Sequence, residues 1–425
     1  RVVIDGVWNH TGQDFFAFAD VRQNGPDSPY RDWYIIKSWD DPSTPEDEFD
    51  HQGWWGHKPL PEFADSPDGK DLHPGPKRYV FDATRRWMDP DGDGDPSDGI
   101  AGWRLDVVPD MPIGFWADWN AYARSINPDV YTVAEIWHDA ARDIERGGFS
   151  GTMNYHAFAM PVKGFLVDNM VGAGDFVEML KGRAEAYGDA YRFGALNLVD
   201  SHDTPRIASM IVNRESEYTE SDVFDYDRDG SGRDPAYDVR KPNGRERRIQ
   251  RMIALVQATH LGAPMIYYGT ESGMWGADDP DDRMPMVWDD MEYDVQDGHP
   301  RGRQRPADTV AFDEETFSFY RDAFRARHDR EVLRRGSFDP IGSSDVDAAA
   351  AYARRLGGVT AVVVMNRSDE TGRNTISPPA NWSGSTVALS SGADEDVRIM
   401  ENDGNLVVEV APLTAALLES ATSTP

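Results

Sequence analysis

The sequence predicts an α/β fold: a β/α barrel followed by a small antiparallel β-sandwich. Three acids predict the barrel. Asp106 closes the run Gly102-Trp103-Arg104-Leu105, Glu135 closes Tyr131-Thr132-Val133-Ala134, and Asp203 follows Leu198-Val199-Asp200-Ser201-His202. An apolar run that ends in an acid and a loop reads as a buried strand presenting its carboxylate at the C-terminal rim, where such barrels keep their chemistry. Helical segments separate these runs. The sandwich is predicted by the segment beyond Arg335-Gly336, where short strands alternate with Gly, Ser, Asn and Asp turns.

Taken in order, residues 1–8 read as a strand. Residues 11–80 are irregular and rich in Pro, Gly, Trp and Asp, with an insert domain expected over 13–78 as a wall of the active site. A helix is expected over 78–88, an Asp-Gly loop over 89–98 and a strand over 100–106. Helix 112–126 begins near Pro112 and stops before Asn127-Pro128; strand 130–136 and helix 139–146 come next. Strand 194–200 leads into a long polar loop, 213–244. In helix 245–261, Ile249, Met252, Ile253, Val256 and His260 share one face. Gly262-Ala263-Pro264 stops it, and Met265–Tyr268 reads as the next strand. Helix 314–331 closes the catalytic barrel domain, expected over 1–335. The sandwich, 336–425, has strands at Ala350–Leu356, Val359–Val364, Thr386–Leu389, Val397–Met400, Leu406–Val410 and Thr414–Leu418.

The chain of 425 residues is long enough for a large core, and 39% apolar content with 13 Trp, 16 Tyr and 18 Phe argues against disorder. The net charge of −32 repels nucleic acid and anionic lipid and suits a neutral substrate. No apolar run is long enough to span a membrane. Only seven of the 43 basic residues are Lys, and this acid-rich, Lys-poor balance points to a halophilic, salt-adapted surface. The absence of Cys excludes disulfides and thiolate chemistry. The chain opens on Arg1-Val2-Val3-Ile4 with neither an initiator Met nor a signal peptide pattern, so further sequence is expected upstream. Location is left open, with an extracellular or periplasmic one favoured over a cytoplasmic one.

Retaining cleavage of a glycoside needs a nucleophile and an acid whose carboxyls lie roughly 5–5.5 Å apart. Arg104 shares a strand face with Asp106, so it is expected to keep that carboxylate ionised and make it the nucleophile. Glu135 has apolar neighbours, Trp137 nearby and no adjacent cation, which favours the acid/base role. Asp203, beside His202, suits hydroxyl binding and stabilisation of an oxocarbenium-like transition state.

The strings Asp5-Gly-Val-Trp-Asn-His10, Gly102-Trp-Arg-Leu-Asp106, Glu135-Ile-Trp137 and Ser201-His-Asp203-Thr resemble the four short motifs of the α-amylase family of glycoside hydrolases, in order. Gly262-Ala-Pro-Met-Ile-Tyr-Tyr-Gly269-Thr-Glu271, Asp279-Pro-Asp-Asp-Arg283 and Gly53-Trp54-Trp55-Gly56 look most like the neopullulanase and cyclomaltodextrinase branch. The resemblance covers residues 1–335. It implies a (β/α)8 TIM barrel whose first two strands precede Arg1. It implies Asp106 as nucleophile, Glu135 as general acid/base, Asp203 as transition-state stabiliser, and His10, Arg104 and His202 as contacts to the sugar or nucleophile. The implied activity is retaining hydrolysis of α-1,4, and sometimes α-1,6, glucosidic bonds in maltooligosaccharides, cyclodextrins, starch or pullulan. The rival readings are a transglycosylase using the same site and a non-catalytic binding subunit. Relatives of this branch also imply a homodimer formed through an N-terminal remainder of the same protein. Val107-Val108-Pro109-Asp110 departs from the Lys-His pair that many relatives carry after the nucleophile, and Thr270 stands where an Asp is common.

Trp54, Trp55 and Trp137 are candidates for stacking on glucose rings. Asp89, Asp91, Asp93, Asp95 and Asp98 alternate with small residues in a pattern that suits calcium, though without the closing Glu of an EF-hand. Asp225, Asp227, Asp229 and Asp234 repeat it more loosely, and the resemblance adds Asn9 as a calcium ligand.

Overall fold

A computed structural model describes residues 1–214, 236–344, 346–378, 382 and 384–420. The chain divides into two compact units, Arg1–Met153 and Asn154–Pro425.

In the first unit, β1 (Val3–Gly6), β2 (Gly102–Leu105), β3 (Tyr131–Ala134) and β4 (Gly151–Thr152) form one sheet in that order, with every pair parallel. Parallel strands need crossovers, and α1 (Pro74–Met88), α2 (Ile113–Ile126) and α3 (Ala141–Gly147) supply them. Strand β2 is buried on both faces, as a strand between helical layers must be. Trp103 packs on Trp8 and on Trp119 of α2, at ring distances of 5.3 and 5.9 Å. Gly102 permits close approach of β3: a Cβ there would lie 2.3 Å from the carbonyl oxygen of Tyr131. Helix α1 starts at Pro74 rather than 78, because the His73 side chain accepts the Gly75 N–H and Pro fits the first helical turn.

The stretch expected to be irregular has structure of its own. It contains a helix, Phe16–Asn24, and an antiparallel pair, Ile36–Ser38 with Asp50–His51. An aromatic cluster of Phe15, Phe16, Tyr30, Trp33, Phe63 and Tyr79 packs edge to face beside them.

In the second unit, the helix Gly244–Thr259 is buried from Ile249 to Thr259 on all sides, not on the one face expected. Its polar positions find partners inside. Arg247 donates to Gln250 Oε1 at 2.6 Å, and Gln250 donates to the Thr270 carbonyl at 2.9 Å. The two strands expected over 194–200 and 265–268 shorten to the parallel pair Leu196–Asn197 and Ala263–Pro264, extended by one more bond from Met265 N–H to Asn197 O. Beyond it the chain turns through Tyr267–Gly273. Helix Ala173–Ala186 and the helical turns over 155–167 were not expected.

The C-terminal sheets are antiparallel. The strands of one sheet, in spatial order, are Ser343–Ser344, Gly372–Ile376, Asn405–Val410 and Val397–Asn402. The other runs Ser385–Ser390, Thr414–Ser420, Val359–Asn366, Ala349–Leu356 and Ser337–Pro340. The second sheet serves two cores by strand alternation. Ala351, Ala353, Val362 and Val364 face the first sheet, while Ala350, Tyr352, Val363 and Met365 pack on the helices. The strand over 372–376 escaped sequence reading because Arg373 and Thr375 leave it few apolar residues.

Candidate active site

In the first unit the acids stand at the C-terminal ends of β2 and β3, around one guanidinium. Arg104 Nη1 donates to Asp5 at 2.9 Å and to Asp106 Oδ1 at 2.5 Å. Arg104 Nη2 lies 2.9 Å from Glu135 Oε1 but off the N–H direction, so that contact is an ion pair rather than a hydrogen bond. The side chains of Arg104 and Glu135 are 12% and 5% exposed, so solvent screens the pair little. Three carboxylates around one cation leave the site net negative, the sign that favours a developing positive charge.

The structure overturns one expectation. Glu135 does have an adjacent cation, Arg104, because the guanidinium reaches across from the neighbouring strand. It also accepts the Val107 N–H at 3.0 Å and the Trp137 Nε1–H at 3.4 Å. Arg104 does contact Asp106, as their shared strand face predicts, but its charge is not the only influence there. Burial pushes the Asp106 pKa up, and the lowering by Arg104 does not cancel it, with Glu135 adding to the rise. Burial also opposes the charge on Arg104, yet Glu135, Asp5 and Asp106 raise its pKa above the ordinary value.

Val107 has φ 42°, a left-handed conformation that a β-branched residue rarely adopts. It turns the chain directly after Asp106 and aims its N–H at Glu135. The backbone strain thus sits between the two acids.

His10 stacks on Trp54, with ring centroids 5.1 Å apart at 17°. Burial lowers its pKa, with Asp106 and Asp110 opposing. Asp110 is a residue that sequence reading passed over. Its Oδ2 accepts Trp54 Nε1–H at 2.7 Å and Trp55 Nε1–H at 3.0 Å, which fixes both rings. Trp55 is 78% exposed, more suited to a ligand surface than to a core. Asp5 was likewise passed over as a partner of Arg104. Asn9 is buried, its amide nitrogen 3.3 Å from His10 Nδ1.

Of the acidic loop, Asp89, Asp91 and Asp98 bring carboxylate oxygens within 4.8 Å of one another. The exposed Asp98 carboxyl has its pKa raised, first by slight desolvation within the loop and then by Asp91, Asp93 and Asp89. Asp93 and Asp95 instead accept backbone N–H groups of Asp95 and Ser97 at 2.8 and 3.0 Å. Asp225, Asp227, Asp229 and Asp234 lie outside the described residues.

In the second unit His202 Nε2 lies 3.3 Å from Asp203 Oδ2. Arg283 Nη2 lies 3.5 Å from Asp203 Oδ1 while its Nε holds Asp279 at 3.0 Å. In the sequence Arg283 is visible only as part of a motif; its reach to Asp203 could not be read from spacing.

A family model for the alpha-amylase catalytic domain matches residues 1–224, more than half of the chain. The chain belongs to the α-amylase family. Neopullulanase 2 of Thermoactinomyces vulgaris is 29% identical over 418 residues, which is 98% of this chain and 59% of that protein. A cyclomaltodextrinase of Geobacillus thermopakistaniensis (strain MAS1) is 29% identical over 370 residues, 87% of this chain and 52% of its own length. The chain therefore spans little more than half of these curated relatives. A solved cyclomaltodextrinase superposes with a TM-score of 0.73 at 25% identity, over 99% of this chain and 60% of that one. A debranching enzyme from Nostoc punctiforme shares the fold, with a TM-score of 0.73 at 24% identity over 99% of this chain and 76% of that one. The fold class read from the sequence is that of this α-amylase-family group: a β/α barrel with a C-terminal β-sheet domain. Among the described residues, no helix is long and apolar enough to cross a membrane.

Proposed function

We propose that the protein is a retaining glycoside hydrolase acting on α-1,4, and in part α-1,6, glucosidic bonds of maltooligosaccharides or cyclodextrins. The observation that carries this reading is Arg104 joining the carboxylates of Asp106 and Glu135. Two acids sharing one guanidinium fit the roughly 5–5.5 Å separation of a retaining pair better than the wider gap that admits a water between them. With the roles assigned by their motifs, Asp106 attacks the anomeric carbon, and the bond to the leaving oxygen breaks as Glu135 delivers its proton there. Glu135 then takes a proton from water, which attacks the same carbon and releases Asp106. The configuration is inverted twice and so retained. Asp203 is assigned to the oxocarbenium-like transition state by its motif. Trp54 and Trp55, with edges fixed by Asp110, offer ring faces to glucose. Names of relatives such as neopullulanase and cyclomaltodextrinase support the substrate class.

Asp106→Asn tests the reading. Turnover of maltotriose should fall by at least about 10,000-fold, with a single cooperative melting transition retained. Wild-type turnover in that variant would end the proposal.

Asp89, Asp91 and Asp98 are the groups suited to calcium, because a divalent cation would relieve their mutual repulsion. The domain division expected from sequence, a barrel to 335 with its insert and a sandwich beyond, belongs to this reading too, as does a salt-adapted surface. One thermal series tests both ion effects. The melting temperature should rise with calcium over chelator, and again from low salt to molar NaCl. A flat response to calcium removes the metal site, and a flat or falling response to NaCl removes the salt adaptation.

A further inference from the structure

The turn from Asp200 to Ile207, which carries His202 and Asp203, is held by side chains rather than by a strand ladder. Asp200 is 1% exposed. Its Oδ2 accepts the Ile207 N–H at 3.0 Å and the Thr270 hydroxyl at 2.7 Å. One carboxylate oxygen thus ties the entry of the turn to its exit, where helix Ile207–Val212 begins. Inside the turn, Ser201 N–H donates to Thr204 Oγ1 at 2.9 Å, and Asp203 N–H donates to Ser201 Oγ at 3.1 Å. The Tyr155 hydroxyl donates to the same Ser201 Oγ at 3.0 Å. Asp203 is therefore placed by buried hydroxyls and one buried carboxylate.

Thr270 is itself rigidly held. It is 1% exposed, and Gln250 of the buried helix donates to its carbonyl at 2.9 Å. Arg206, at the end of the Asp203 turn, donates to the neighbouring Tyr268 carbonyl at 2.7 Å. A hydroxyl can donate to a buried carboxylate without bringing a second charge beside it. A carboxylate at position 270 could not donate, and a methyl would leave Asp200 Oδ2 with one donor while Oδ1 has none among the described residues.

We propose that Thr270 is a positioning residue, whose hydroxyl acts through Asp200 to fix the turn that presents Asp203. The inference rests on the reading of Asp203 as the acid that stabilises the transition state. It explains the one departure in the end-of-barrel segment that sequence alone left uninterpreted. Because the displaced group acts in the transition state, the loss falls on kcat and kcat/KM together and leaves KM in place.

The test compares Thr270→Val, Thr270→Ser and Asp203→Asn in the protein carrying this sequence, with maltotriose as substrate. Thr270→Val should lower kcat by about 10- to 100-fold, the scale of a misplacement near 1 Å, with KM changed by less than about twofold. Thr270→Ser, which keeps the hydroxyl, should restore most of the rate. Asp203→Asn should lower kcat by more than about 1,000-fold. Wild-type kcat in Thr270→Val beside an inactive Asp203→Asn overturns the inference and spares the function. An equal loss in Thr270→Val and Thr270→Ser also overturns it, since the hydroxyl would then not be the acting group. Wild-type kcat in Asp203→Asn removes the reading beneath it. If Thr270→Val does not fold, Tyr155→Phe, which removes another hydroxyl from the same turn, should show the same loss confined to kcat; unchanged kcat there overturns the inference.

Discussion

The turns after Asp106 and around Asp203 solve one problem in opposite ways. The first is built from charge. Asp5, Asp106 and Glu135 converge on Arg104, and a left-handed Val107 aims its N–H at Glu135. The second is built mainly from neutral hydroxyls: those of Tyr155 and Thr270 donate, and those of Ser201 and Thr204 accept backbone N–H groups. Charge packed against charge gives strong fields but ties every pKa in the set to its neighbours. Hydroxyls give placement without adding a field. The difference predicts that variants of the first turn change pH dependence and rate together, while variants of the second change rate alone.

Outside the acids themselves, the larger effect is expected at Arg104. Arg104→Met leaves three carboxylates with no common counterion, and kcat should fall by roughly 100- to 1,000-fold. Removing one partner of a buried ion pair should also cost about 3–5 kcal/mol of stability. The pH profile gives the sharper reading. In the proposed mechanism Asp106 must be ionised to attack; burial raises its pKa, and Arg104 is the main influence lowering it. Without the guanidinium the carboxyl holds its proton to higher pH, so the acid limb of kcat/KM should move upward. Arg104→Lys keeps the charge but loses the planar fork that reaches several acids, so it should return the limb towards wild type while recovering only part of the rate. An acid limb that stays in place in both variants would show that Asp106 is not the group being titrated.

Much of this was legible along each strand and little of it across strands. Asp106 and Glu135 stood out because each ends an apolar run, a pattern a single strand carries by itself. The contact of Arg104 with Asp5 depends on the parallel register that sets Asp5 beside Arg104, and the reach to Glu135 depends on the pairing of Leu105 with Ala134. No periodicity within one segment encodes that lateral alignment, so Glu135 was read as free of cations. Helix Phe16–Asn24 was missed because its N-terminal Phe15 makes no side-chain cap and its apolar residues crowd at one end. Helix Gly244–Thr259 was found through the spacing of Ile249, Met252, Ile253 and Val256. Its full burial was not, since Arg247, Gln250 and Arg251 read as a solvent face until their internal partners are seen.

The smaller effect concerns a carboxyl held by neither device. Asp281 and Asp282 are both 0% exposed. Arg305 grips Asp281 through both oxygens, at 2.6 and 2.7 Å. Neither carboxyl oxygen of Asp282 has a hydrogen-bond partner among the described residues, and burial pushes its pKa up to about 8, with Asp279 adding to the rise and Arg283 and Arg206 opposing it. Between the ordinary carboxylate value and about 8, the unfolded chain ionises this group while the folded chain keeps it protonated. Its contribution to stability is therefore whole in acid and is lost as the pH rises through that window. Asp282→Asn removes the titration and leaves any cost of a buried amide the same at every pH. In denaturant unfolding, the variant should gain about 5 kcal/mol on wild type as the pH is raised from near 4 to near 9. A difference between the two proteins that does not change with pH would mean that Asp282 is paired and ionised in the folded chain, and would place it with Asp281 instead.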